Sequence, residues 1–331
     1  MHSLMSPMRT LRAIVAATLL PLAGCAQQAP PPADGAFSFA LVGDMPYGTA
    51  GEGRFAQMLQ GIDADRSIRF LLHAGDLKSS SEPCSDELLR RRLAQLHDVR
   101  TALVYTPGDN DWTDCHRAGA GGRDPLERLQ ALRRLAYPAP GRSLGRQPLL
   151  VQGLPGRPEN VQFAHGRVVF VTLHVIGSDN GLAPWSAAAG PQRLVQLAEF
   201  RQREAANLQW LRAAFERARA ENAVALVVLM HGNPRFDLPA GNSGRAGFEA
   251  VIAALGRLSA ELGRPVLLLH GDGHFFLDDR PLAEAPSPAP NLRRVQAFGY
   301  PWSEWIRIDV DPASSAVFRI GIGGQHDVIK G

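Results

Sequence analysis

Cysteine is scarce in this sequence: three in 331 residues, at positions 25, 84 and 115. No charge predominates either. Residues 1–24 hold Arg9 and Arg12 and no acid, and without them 33 basic side chains face 32 acidic ones. A nearly neutral chain lacks the basic stripe that nucleic-acid binding needs, so no nucleic-acid partner is expected. There is no internal repeat, which excludes a repeat architecture. The glycine-rich "GTAGEG" (48–53) lacks the Gly-Lys-Ser/Thr ending of a P-loop. The apolar stretch in "MRTLRAIVAATLLPLAGC" (8–25) is too short to span a membrane.

That stretch reads instead as a bacterial signal peptide (1–24), by its two arginines, its length and its small-residue ending. The end, Leu22-Ala23-Gly24-Cys25, is similar to a lipobox. This predicts a lipid anchor at Cys25 and an exported protein facing the periplasm or the cell surface. An ordinary secretory signal with an incidental cysteine is the alternative. Residues 25–36 read as a flexible tether and 37–331 as one large domain. Export tolerates disulfides, and Cys84 and Cys115 each follow a candidate site loop, so they are expected to pair; two free buried thiols are the other option.

Strands are predicted at 36–44, 67–76, 101–109, 223–231 and 265–274, with two more in 160–177 joined by a His-Gly turn. Closing strands fall near 304–310 and 315–322. Helices are predicted at 54–63, 85–99, 124–136, 192–220 and 244–262, the longest with Leu197, Leu208, Leu211 and Phe215 on one face. Alternating strands and helices mean an α/β fold, and the extra C-terminal strands suggest a second sheet.

Five of the strands end in the same manner: "GDMPYG" at Asp44, "GDLKSS" at Asp76, "GDND" at 108–111, "LMHGNP" at His231 and "HGDGH" at 270–274. A single Gly-Asp is an ordinary turn, but five acid or imidazole termini on five strands point to one site. Open α/β sheets gather their ligands at strand carboxyl ends. Carboxylates and imidazoles are ligands for divalent metals, and adjacent glycines let the backbone turn away sharply. Two such ions can activate a water and neutralise the oxygens of an in-line phosphoryl displacement.

In order, context and spacing, this set resembles the calcineurin-like metallophosphoesterase family, whose signature is D-x-H, G-D, G-N-H-D/E, a lone histidine after an apolar strand, and G-H-x-H. The resemblance covers roughly residues 37 to 275. It implies a two-sheet sandwich flanked by helices and a dinuclear site that hydrolyses a small-molecule phosphate ester, mono- or diester, through a metal-activated hydroxide. It further implies that one ion meets Asp44, Asp76 and His274 and the other Asp76, Asp109, His231 and Asp272. The set is carboxylate-rich, which favours Mn²⁺, Fe or Mg²⁺ while Zn²⁺ stays possible.

The match departs from the signature at four places, the mildest being Asp109 for the asparagine ligand, an oxygen-for-oxygen exchange. Pro46 stands where the first motif has its histidine, leaving Tyr47 as a neutral hydrogen-bond donor to substrate. Asp272 replaces a histidine. Asn110 occupies the position of the family's catalytic histidine, where it can hold a phosphoryl oxygen but cannot supply a proton. His116, six residues on, is the candidate for a substitute acid, a solvated loop histidine being the alternative. Lys78 either reaches a substrate phosphate or is a solvated loop lysine, and Trp112 either stacks on substrate or caps the core. His73, His174 and His270 read as structural. "SDN" (178–180) has no Ser-x-x-Lys or Lys-Thr-Gly partner, which excludes a serine-acyl enzyme. The rival to an enzyme is a catalytically weakened metal- or phosphate-binding surface module.

Overall fold

The computed structural model describes residues 35–185 and 190–324. The signal peptide, Cys25 and residues 25–34 of the tether lie outside the described residues. In chain order the strands are β1 (Phe37–Val42), β2 (Ile68–His73), β3 (Ala102–Tyr105), β4 (Gln152–Leu154), β5 (Arg157–His165) and β6 (Val168–Thr172). They continue as β7 (Ala225–Leu229), β8 (Val266–His270), β9 (Leu277–Asp279), β10 (Leu292–Gln296), β11 (Trp305–Val310) and β12 (Phe318–Gly323). Five form one sheet, in the order β12-β11-β1-β2-β3, and seven form another, β4-β5-β6-β7-β8-β10-β9.

The apolar runs follow from burial on both faces. In β1, Phe37, Phe39 and Leu41 point into the core between the sheets. Ala40 and Val42 point the other way, onto helices Gly48–Ala64, Asp86–Asp98 and Pro125–Ala136. In β7, Val227 and Leu229 face between the sheets, while Leu226 and Val228 pack on helices Pro191–Ala220 and Glu249–Leu262. The layers are therefore helix, sheet, sheet, helix, as the resemblance implied. Phenylalanines fill the centre: Phe163 stacks on Phe170 at 4.7 Å and Phe39 on Phe70 at 5.2 Å. Each such ring removed from water contributes about 1.5–3 kcal/mol.

Local chemistry starts the helices. Ser85 accepts from Leu88 N at 3.1 Å ahead of Asp86 and Glu87, and Asp124 accepts from Glu127 N ahead of Pro125. The first helix begins at Gly48 rather than at 54, taking in glycines whose intrinsic preference opposes a helix. The β5–β6 turn is centred on Gly166-Arg167, both at positive φ. Strands β4, β9 and β10 were not foreseen. Two are three residues long, and "LRRVQ" has no clean alternation.

β1, β2 and β3 are mutually parallel, as are β6, β7, β8 and β10. Their carboxyl ends converge across the two sheets. His231, just beyond β7, bonds through Nδ1 to Ala74 O beyond β2 at 2.6 Å. The Asp272 N–H, beyond β8, donates to both oxygens of Asp44, beyond β1, at 3.0 Å.

Candidate metal centre

The strand-end residues share a backbone habit. Asp44, Asp76, Asp272 and His274 have φ of 54°, 60°, 69° and 64°. Left-handed backbone costs a non-glycine residue roughly 1–2 kcal/mol and persists only where surroundings enforce it, as they do at functional sites. Here it turns each side chain inward at the end of its strand. Glycine is required where two loops meet: a Cβ on Gly108 would fall on Asp76 Oδ1.

His231 sits at the centre. Its Nε2 lies 3.1 Å from Asp109 Oδ1, 3.5 Å from Asp76 Oδ1 and 3.9 Å from Asp272 Oδ1. The Ala74 carbonyl holds Nδ1 as a donor, which leaves Nε2 as the nitrogen turned to the carboxylates. His274 is held alike, Nδ1 donating to Tyr300 O at 2.7 Å and Nε2 standing 3.4 Å from Asp44 Oδ1. Among the described residues two groups have ligand atoms within 4.8 Å of one another: Asp44, Asp76 and His231, and Asp109, His231 and Asp272. Both use His231, whose Nε2 has one lone pair. It can complete one group at a time.

The donor set fits divalent cations. Asp44, Asp76 and Asp109 are buried, and the side chains of Asp272 and His274, 29% and 35% exposed, form the open side. Burial, then the charge of Asp272, pushes the Asp44 carboxyl up to about 6 against the opposing pull of His231 and His274. Burial likewise raises Asp76 and Asp272, with Asp109 adding to both. Asp109 alone is lowered: burial raises it, but the hydrogen bond and charge of His231, with Ser178, outweigh that. His231 loses by burial and gains more from Asp76, Asp109 and Asp44, and ends well above its ordinary value. Such crowding of buried carboxylates is what a bound divalent ion relieves.

Asn110 faces this cluster. Its N–H donates to Asp76 Oδ1 at 3.0 Å and its Nδ2 to Asp76 Oδ2 at 2.5 Å. Tyr47 OH donates to the same Oδ2 at 3.1 Å. Lys78 is fully buried, its Nζ on Ser79 O at 3.0 Å, so the solvated-loop alternative does not hold; burial lowers its pKa against the pull of Asp111 and Asp76. His116 is half-buried in the turn Thr113–His116, with Nδ1 on Thr113 O at 2.7 Å, which leaves Nε2 as its other nitrogen. Cys84 and Cys115 form a disulfide with a Cα–Cα distance of 5.6 Å, joining the segments that follow β2 and β3.

Trp112 caps the core. It is fully buried and donates to His174 Nε2 at 3.1 Å, while His174 Nδ1 faces Glu159 at 3.0 Å. His73 bonds Met45 O through Nε2 and accepts from Gly75 N. His270 Nδ1 lies on Gly271 O. All three histidines are buried.

Two elements of the site escaped sequence reasoning. Asp111 points not at the cluster but at the backbone beneath it, accepting from the N–H groups of Asp76, Leu77 and Gly108 and from Tyr105 OH. Ser178, in "SDN", donates to Asp109 Oδ2 at 2.7 Å. Asp111 closes "GDND", and nothing in that spacing distinguishes a backbone tie from a ligand. For Ser178 the sequence carried no signal.

No family model and no curated protein matches the sequence. Solved structures do match it. The chain is similar to PhoD, with a TM-score of 0.53 and 13% identity over 84% of this chain and 64% of that one. The chain thus spans just under two thirds of PhoD's length. It also matches GAP50, the anchor in the inner membrane complex of Plasmodium, at TM-score 0.43 and 12% identity over 89% and 90% of the two chains. A third match is the phosphopantetheinyl hydrolase PptH from Mycobacterium tuberculosis, at 0.38 and 16% over 80% and 90%. The PhoD likeness shows a metallophosphoesterase-like sandwich, and that is the fold of this chain.

Proposed function

We propose that this chain hydrolyses small-molecule phosphate esters, mono- or diesters, at a centre that holds two divalent ions. One observation carries the reading: four aspartates and His231 from the ends of strands in both sheets converge, with His274 beside Asp44, and each histidine turns Nε2 to a carboxylate because a main-chain carbonyl holds Nδ1. Asp109, His231 and Asp272 would hold one ion, and Asp44, Asp76 and His274 the other, Asp76 also reaching toward the first. Mn²⁺, Fe or Mg²⁺ suits so many carboxylates better than Zn²⁺. Bound there, such ions would acidify a water and neutralise phosphoryl oxygens.

The chain's own residues divide the remaining tasks. Asn110 and Tyr47 fasten Asp76 Oδ2 and offer polar hydrogens beside it. Lys78 adds a buried positive charge that acts on Asp111 and Asp76. An asparagine cannot protonate a leaving group, so His116 is the proposed donor, through Nε2. A lipid anchor at Cys25 would hold the enzyme at a membrane.

The test is hydrolysis of bis-p-nitrophenyl phosphate by the form lacking residues 1–25, titrated with Mn²⁺, with Asp76→Asn as control. Metal-dependent turnover that disappears in Asp76→Asn is expected. No turnover above that control with Mn²⁺, Fe²⁺ or Mg²⁺ would favour the rival reading of a metal- or phosphate-binding module, for which the amide at position 110 already speaks. His116→Ala should slow alkyl esters far more than nitrophenyl esters. Equal, mild losses on both would remove His116 from the reaction.

A further inference from the structure

Three successive non-glycine residues, Ser178, Asp179 and Asn180, hold φ of 53°, 54° and 51° beside the metal centre. A full left-handed turn is sterically costly for L-residues, so something must enforce it. Arg203, fully buried on the helix Pro191–Ala220, does much of this. Its Nη1 donates to Asn180 Oδ1 at 2.5 Å and its Nη2 to Asn180 O at 2.8 Å. Asn180 Nδ2 donates to Gly247 O at 2.9 Å, and Gly247 N returns a bond to Asp179 Oδ1 at 2.9 Å.

The enforced turn presses on two of the acids. A Cβ on Gly177 would collide with Asp109 Oδ1 and Asp272 Oδ1 together, so only a glycine lets the backbone lie between them. The next residue, Ser178, donates to Asp109 Oδ2 at 2.7 Å, closer than its contact of 3.3 Å with Asp114 Oδ1. With Oδ2 engaged by the hydroxyl, Oδ1 is the oxygen left toward His231 Nε2, 3.1 Å away.

We infer that the turn Gly177–Asn180, clamped by Arg203, is a positioning element for the ion at Asp109, His231 and Asp272, and that the Ser178 hydroxyl selects Asp109 Oδ1 as the ligand oxygen. This rests on the metal reading above. Hydrogen bonds to ligating carboxylates typically change metal affinity 10–100-fold.

The experiment is calorimetric titration of the purified protein with Mn²⁺ alone, comparing wild type, Ser178→Ala and Ser178→Gly, with melting temperatures in EDTA. Alanine keeps the strained backbone and glycine relaxes it; both remove the hydroxyl. The expected result is a Kd for the tighter-bound Mn²⁺ raised about 10–100-fold in both variants, with metal-free melting temperatures close to wild type. Wild-type Kd values in both variants would overturn the inference, whether or not their melting temperatures fall. A loss in Ser178→Ala that is absent in Ser178→Gly would overturn the role of the hydroxyl and assign the effect to the backbone. A wild-type protein that binds no Mn²⁺ would overturn the metal reading and this inference with it.

Discussion

Asp111 Oδ2 accepts the main-chain N–H of Asp76 at 3.0 Å. The same carboxylate takes Leu77 N at 2.7 Å, Gly108 N at 2.8 Å and Tyr105 OH at 2.7 Å. One buried side chain thus ties the loop after β2 to the loop after β3 and sets the direction in which Asp76 leaves its strand. The acids of the site are held by an acid that is not one of them.

Asp111→Ala should therefore unfold easily. It leaves three N–H groups and a phenol without an acceptor, and each buried unsatisfied donor costs about 1–3 kcal/mol. A loss of about 3–5 kcal/mol in chemical denaturation is expected. A loss under about 1 kcal/mol would mean that the loops do not depend on this tie.

Protons and metal should compete at Asp44, whose buried carboxyl is pushed up to about 6 from 3.8. In the metal-free fold its contribution to stability is complete below pH 3.8 and is lost as pH rises through about 6. Metal binding needs the ionised form, so stabilisation by Mn²⁺ runs the other way and grows through the same window. Melting in EDTA and in Mn²⁺, at about pH 4.5 and about pH 7.5, should show the larger metal-induced rise at the higher pH. An equal rise at both would take Asp44 out of the ligand set.

The single free lone pair of His231 should make the two proposed ions unequal. His231→Ala should abolish the tighter Mn²⁺ event in calorimetry, because it removes the nitrogen nearest Asp109. His274→Ala should spare that event and weaken the second, since His274 Nε2 stands 3.4 Å from Asp44 Oδ1. The same loss in both variants would indicate one shared ion.

Replacing Cys84 and Cys115 together by serine opens a disulfide across a separation of 31 residues. The expected cost is about 2–4 kcal/mol in denaturation. His116 follows Cys115 directly, so the double variant should also lose turnover on alkyl esters at temperatures where it remains folded. Unchanged rates there would detach the bond from the site.

Much of this architecture could be read in one dimension. Val, Leu and Phe runs ending in Gly-Asp marked β1, β2, β3 and β8, and one ending in His-Gly marked β7, because a strand buried on both faces has no polar positions to spare. Ser85, with Glu87 in the first turn, marked the helix at 86. Strands β4 and β9, at three residues each, carry too little pattern, and the helix from Gly48 forms against its own glycines because Phe55, Met58 and Leu59 find a buried face.

The sequence by itself determined that the strand ends would carry aspartate and histidine, since side-chain chemistry and the alternation of strands are local properties. Only the tertiary structure decided what each group does. It turned Asp111 toward backbone, buried Lys78, set Trp112 on His174 and brought Ser178 to Asp109 across 69 residues of chain. Those choices depend on which hydrogen-bond partner lies within 3 Å once two sheets have closed on one another, and no spacing along the chain encodes that distance.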